Sequence, residues 1–259
     1  MDTKKEEQYI IDVLKMLNLK ATKIPEIDIP TPDFKIDDGE FIYLAELKTK
    51  FENNDIIKKR KERLISSNDI YSCHIETVPT SANNNIINLS RDATKQLNSA
   101  FQNNESDFKI LILLCQGIGS QQFYEQFINS LYGRVKIYAK GKDSIPVYDC
   151  YYYKNSAFHY HRKTIDGAII IGDNCATLCI NDLSPRYINF KNTPLVRKFH
   201  TGIIDPIDKE ASKKILTIRE SIDRNNIPAV NKHLEAKYGF RYVTELPMPL
   251  IRVISKVNK

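Results

Sequence analysis

The chain has 259 residues, 42% of them apolar and 27% charged, a balance that supports one substantial buried core and excludes disordered, collagenous and coiled-coil chains. Its longest apolar run, Ile110 to Cys115, is far shorter than the roughly 20 residues that cross a bilayer, and a polar opening segment stands where a secretory h-region would lie, so a soluble cytoplasmic protein is expected. The net charge of +6 is uneven, with 16 basic and 19 acidic side chains in residues 1–110 against 22 and 13 in residues 111–259.

In chain order, Ile10, Val13, Leu14 and Leu17 recur at helical spacing and predict an amphipathic first helix, with Thr3 and Glu6 suited to a capping box. Pro25, Pro30 and Pro32 favour extended backbone, with a first strand around residues 22–29. Asp33 to Ile36 and Phe41 to Thr49 predict two strands joined by a tight turn at Asp37 to Glu40. Residues 51–88 look like an insertion carrying the basic helical piece Lys58 to Lys61. Ser90 is the expected cap of a further helix with Ala93, Leu97, Ala100 and Phe101 on its apolar stripe. Phe108 to Cys115 suits a strand buried on both faces.

Further strands are expected near 134–139, 147–153, 157–162, 167–172 and 176–181. Two helices should close the chain, one opened by Asp205-Pro206 and one bracketed by Pro228 and Gly239. The glycines at 117 and 119 lack the full spacing of a dinucleotide fingerprint. Five cysteines without framework spacing predict free thiols, and Cys175 with Cys179 read as small apolar strand residues.

One constellation carries chemistry. The strand ending Glu46-Leu47-Lys48 is apolar on both faces from Phe41 to Ala45, yet it finishes on a carboxylate and an ammonium that share one face. With the turn centred on Asp38-Gly39, Asp33 falls opposite Leu44 and Glu46 is its diagonal neighbour, roughly 7–8 Å away at Cα. Two carboxylates at the edge of a low-dielectric core need a neutralising cation. Oxygen donors, with the Leu47 carbonyl as a further one, suit Mg²⁺, with Mn²⁺ as a substitute. Lys48 is placed to hold an attacking water or to stabilise charge on a reacting phosphate. Asp/Glu-x-Lys occurs five times here, but only Glu46 to Lys48 ends a strand with a Pro-Asp upstream across a turn.

Pro32-Asp33 and Glu46-Leu47-Lys48 resemble the signature of the PD-(D/E)XK, or restriction endonuclease-like, nuclease superfamily. The resemblance covers residues 3–115 and implies an α/β fold: an αβββαβ core with a mixed central sheet over 1–115, elaborated by an α+β half over 116–259 that packs on the core and binds substrate. It implies that Asp33 and Glu46 hold the metal, that Lys48 orients or activates water, and that products carry a 5′-phosphate and a 3′-hydroxyl. Glu6 is the candidate for an added acidic ligand on the first helix, with the capping box as its other role. Gln96 is the candidate glutamine of the second helix, or else a partly buried amide bonded to the sheet.

A nucleic-acid partner, DNA before RNA, is expected, together with a homodimer or partner protein for a double-strand cutter. Restriction or phage defence is the role that family analogy favours. In residues 131–163, Arg134, Lys136, Lys140, Lys142, Lys154, Arg162 and Lys163 mingle with eight aromatic residues, including Tyr151 to Tyr153. Cations for phosphates and rings for bases make a strand-binding channel, while buried tyrosines on an ordinary sheet are the alternative. Lys58 and Arg60 stand between nucleic-acid contact and a solvated helix face. His159 and His161 alternate on an expected strand, with structural or phosphate-contact roles. Two other classes remain open: a noncatalytic nucleic-acid-binding or assembly subunit, and an RNA-cleaving toxin or effector.

Overall fold

A computed structural model describes residues 3–25, 30–52, 54–66, 73–82, 84–99, 106–141, 146–173 and 175–255. In chain order, helix α1 (Thr3–Met16) leads into strands β1 (Lys20–Lys23), β2 (Phe34–Asp37) and β3 (Ile42–Lys50), then α2 (Asn54–Ser66), β4 (Cys73–Val78), α3 (Asn84–Ser99) and β5 (Phe108–Cys115). The second half adds α4 (Ser120–Tyr132), β6 (Val135–Lys140), β7 (Val147–Tyr151), α5 (Ala157–Tyr160), β8 (Gly167–Ile171) and β9 (Ala176–Ile180). It closes with α6 (Tyr187–Lys191), α7 (Pro194–Lys198), β10 (Ile203–Ile204), α8 (Pro206–Ala211), β11 (Ile215–Thr217), α9 (Ile227–Tyr238), β12 (Tyr242–Glu245) and β13 (Leu250–Ser255).

This is a mixed α/β architecture. Its central sheet runs β1-β2-β3-β5-β8-β9-β10. The first three strands are antiparallel, β3, β5 and β8 are parallel, and β9 reverses. The pleat of β5 divides its apolar run between two cores. Leu111, Leu113 and Cys115 join Leu44, α3 and α4 on one face, while Phe108, Ile110, Ile112 and Leu114 join Tyr43, Ala45 and α1 on the other. A four-stranded sheet, β11-β7-β6-β12, packs on α9 around Ile137, Cys150, Val230 and Leu234, and β4 pairs with β13 as a separate ribbon.

Helix boundaries follow local chemistry. Asp205 caps α8 by accepting the Ile207 amide at 2.9 Å, and α9 starts with Pro at its second position and ends at Gly239, whose φ of 71° is left-handed, as expected from the sequence. The expected cap at Ser90 is corrected: α3 begins at Asn84, and the Ser90 hydroxyl donates to the Ile86 carbonyl at 3.0 Å, so the helix passes through it. Ala100 and Phe101 of the expected stripe lie outside the described residues. The expected strand over 157–162 is likewise replaced by α5, because Ser156 caps a helical turn by accepting the His159 amide at 3.1 Å.

The hairpin turn is displaced by one residue from the expected one. Asp37 pairs with Ile42, which leaves a four-residue loop from Asp38 to Phe41. Asp38 Oδ1 accepts the amides of Glu40 and Phe41, and Gly39 supplies the φ of 102° that the loop requires. Asp38 Oδ2 accepts from the Tyr43 hydroxyl and from the Leu195 amide, which anchors the loop to α7. The two parts of the chain on either side of residue 115 build one sheet, because β5 pairs with β8 from Ile110 to Leu114.

Candidate active site

The β2–β3 register places the acidic residues. Phe34 pairs with Ala45 and Lys35 with Leu44. Continued by one step, this register sets Asp33, which stands just before β2, opposite Glu46, closer than the expected diagonal relationship and near enough for the Asp33 charge to act on Glu46. The one-residue displacement of the loop accounts for the shift. Asp33 Oδ2 accepts the Leu47 amide at 2.7 Å, which holds its carboxylate against the end of the ladder. On the same face of β3 as Glu46, Lys48 Nζ donates to Glu46 Oε1 at 2.7 Å and to Gln96 Oε1 of α3 at 2.9 Å. The structure thus brings Asp33, Glu46, Lys48 and Gln96 together.

Glu46 is 1% exposed, and its Oε2 is buried with no hydrogen-bond partner. Burial, followed by the Asp33 charge, pushes its carboxyl up to about 7 against the opposing pull of Lys48. Asp33 is also raised, chiefly by burial, although the Leu47 amide and the Lys48 charge pull it back. Of the two carboxyls, Glu46 is the one that burial and the Asp33 charge dispose to keep a proton.

Glu6 is placed apart from this pair. Its Oε2 accepts from Thr49 Oγ1 at 2.9 Å, and Thr49 projects from the opposite face of β3 to Glu46 and Lys48. Its neighbour Glu7 is the residue that sequence reasoning missed. Glu7 is buried, bonds Lys23 Nζ at 2.6 Å, and its charge contributes to raising Asp33. The signal was present, since Glu7 leads the stripe through Ile10 and Leu14 as directly as Glu6 does.

Among the described residues no three His, Cys, Asp or Glu side chains gather closely enough to hold a metal ion. A cation at this site would rest on two carboxylates, with carbonyl, water and substrate oxygens as its remaining ligands. That donor set fits Mg²⁺, and the unpartnered Glu46 Oε2 offers it a buried anionic oxygen.

The tyrosines of the expected strand-binding channel are internal, and several of its cations are paired. Tyr151, Tyr152 and Tyr153 are at most 1% exposed and pack among Tyr132, Phe158 and the α9 core, so they offer no stacking face. Arg134 pairs with Glu125 and Asn129, Lys136 with Asp149 at 2.9 Å, and Lys154 with Glu245 at 2.5 Å. Arg60 is buried against Glu52 and Glu76 rather than solvated. Lys58, Lys140, Arg162 and Lys163 are exposed. Lys142 lies outside the described residues. Cys179 is buried in β9 as expected, whereas Cys175 precedes the strand and is exposed. Comparison with protein-family models, curated proteins and solved structures finds no match.

Proposed function

We propose that this chain is a Mg²⁺-dependent nuclease that hydrolyses phosphodiester bonds of DNA, built on a restriction endonuclease-like core. The observation that carries the reading is the Asp33 and Glu46 pair beside Lys48, with one Glu46 oxygen buried and unpartnered. The succession α1, β1, β2, β3, α3, β5, interrupted only by α2 and β4 in the segment the sequence marks as an insertion, with three antiparallel strands followed by a parallel one, supports it. Restriction or phage defence is the biological setting that suits such an enzyme.

Asp33 and Glu46 Oε2 would hold the ion, with the Leu47 carbonyl as a third oxygen. Mg²⁺, when bound, supplies positive charge against phosphate oxygens and acidifies water at the site. Asp33 is oriented for this by the Leu47 amide, and Glu46 is oriented by Lys48. Gln96 keeps the Lys48 ammonium on the carboxylate face, where its donors can reach an attacking water or a phosphate oxygen. Burial favours the proton on Glu46 at rest, so loading of the cation and loss of that proton are one linked event.

The test is incubation of the purified chain with plasmid, linear duplex, single-stranded DNA and RNA, each with Mg²⁺, Mn²⁺ or EDTA. Cleavage of DNA that stops in EDTA and falls at least about 100-fold in both Glu46→Ala and Lys48→Ala is expected. Undiminished cleavage in both variants removes the site. Cleavage confined to RNA, or binding without cleavage of any substrate, moves the chain to the effector or the noncatalytic class.

A further inference from the structure

Helix α3 connects the carboxylate site to a second cleft. Gln96, near the C-terminal end of α3, holds Lys48. Asn84, the first residue of α3, lines a cleft of about 330 Å³ together with Lys154, Asn155, Arg224 and Asn225. Arg224 is immobilised there by neutral acceptors: its Nη1 donates to the Ile222 carbonyl at 3.0 Å, and its Nη2 to those of Ile218 and Glu220 at 2.8 and 3.0 Å. Among the described residues no carboxylate lies within ion-pair distance of this guanidinium. Arg60, Arg134 and Arg219, by contrast, are each neutralised by acidic partners. A half-buried cation bonded to carbonyl dipoles, on which the Glu220 charge acts without an ion pair, keeps charge for an anionic ligand.

The surface between the two ends is basic as well. Arg91 on α3 and Arg162 just beyond α5 are exposed, and neither makes an ion pair among the described residues. They belong to one neighbourhood. Beyond the effect of burial, Arg91 depresses the pKa of His161, while Arg162 and Arg224 both depress that of His159. Asn98 of α3 also bonds Thr164 at 3.1 Å, which ties the helix to the segment after α5.

We propose that this face is the track of a nucleic-acid backbone, with a phosphate seated in the Arg224 cleft and others against Arg91 and Arg162. The inference rests on the nuclease reading for the identity of the ligand. From Asn84 to Gln96 is twelve residues, or about 18 Å along the helix axis. At 3.4 Å per base step, that places the cleft phosphate about five steps from the carboxylate pair.

The experiment is fluorescence-anisotropy titration of a labelled 24-base-pair DNA duplex in EDTA at several salt concentrations. It uses the full chain, Arg224→Ala and Arg91→Ala, each checked for a native melting transition. A roughly 10-fold weaker affinity and a salt slope shallower by about one are expected for each arginine variant. Arg91→Ala keeps the test decisive if Arg224→Ala misfolds, because Arg91 is exposed. Wild-type affinity and slope in the folded arginine variants, or no duplex binding by the wild type, overturns the track. If the arginines govern binding but Mg²⁺ elicits no cleavage, the track stands and the nuclease reading falls. If the wild type cleaves and the variants bind unchanged, the reverse holds.

Discussion

Asp33, one residue before β2, stands close enough to Glu46 for the charge of one carboxyl to raise the pKa of the other, and the neighbouring Leu47 amide grips the Asp33 carboxylate at 2.7 Å. Two acidic groups so arranged oppose each other's ionisation. This arrangement weakens the empty fold while preparing it for a cation.

The first prediction concerns stability against pH. Glu46 has a folded pKa of about 7, above its ordinary value of 4.5. The stability this group contributes is therefore fully present below about pH 4.5 and is lost as pH rises through 7. Glu46→Gln keeps the shape without the charge, so in EDTA it should gain on the wild type progressively across that window, by up to roughly 3 kcal/mol at pH 8. Urea titrations of both chains at pH 5, 6, 7 and 8 measure the difference. A gap that stays constant with pH would refute the assignment.

Cation binding should show the opposite dependence. At pH 8, Mg²⁺ or Mn²⁺ at about 100 times its dissociation constant stabilises the fold by roughly 2.7 kcal/mol. At pH 5.5 the proton on Glu46 competes, and the shift in melting temperature should shrink. Glu46→Gln should show little shift at either pH. Equal shifts in variant and wild type would place the cation elsewhere.

Gln96 acts through Lys48. Replacing it with alanine removes one of two acceptors for the ammonium, at a stability cost of about 1 kcal/mol. The expectation is a fall of roughly 10-fold in kcat with KM nearly unchanged, and partial recovery in Gln96→Asn. A fall confined to KM would instead make Gln96 a substrate contact.

Arg60 is expected to matter for folding alone. It bonds Glu52 twice and Glu76 once, and Arg252 completes the network from β13. Arg60→Ala leaves buried carboxylates short of a partner and should cost about 3–5 kcal/mol. Its salt slope for DNA binding should match that of the wild type. An unchanged melting temperature with weakened binding would restore Arg60 to the nucleic-acid surface.

The hairpin, α1, β5 and the last two helices were legible in the sequence because their signals are local: a turn glycine, a 3.6-residue stripe, a doubly buried run, an Asp-Pro start. The Asp33 and Glu46 neighbourhood followed from the same local logic, although its register depended on side-chain bonds made by Asp38, which spacing alone does not reveal. The basic surface was the least legible. Arg134, Lys136 and Lys154 find their carboxylates at Glu125, Asp149 and Glu245, the last of these 91 residues away from Lys154. Arg224, surrounded by carbonyls, carries no sequence mark that separates it from a paired arginine. Helix α4 is not among the expected elements, although Phe123, Phe127 and Leu131 recur every four residues.

Since β8 covers the free side of β5, a nascent chain halted after Cys115 would present the acidic hairpin beside a bare leucine-rich and isoleucine-rich strand edge. Such an edge recruits other strands. About fifty more residues must leave the ribosome before Gly167 to Ile171 can seal it. Prematurely ended products are thus directed to aggregation or proteolysis instead of accumulating as working fragments.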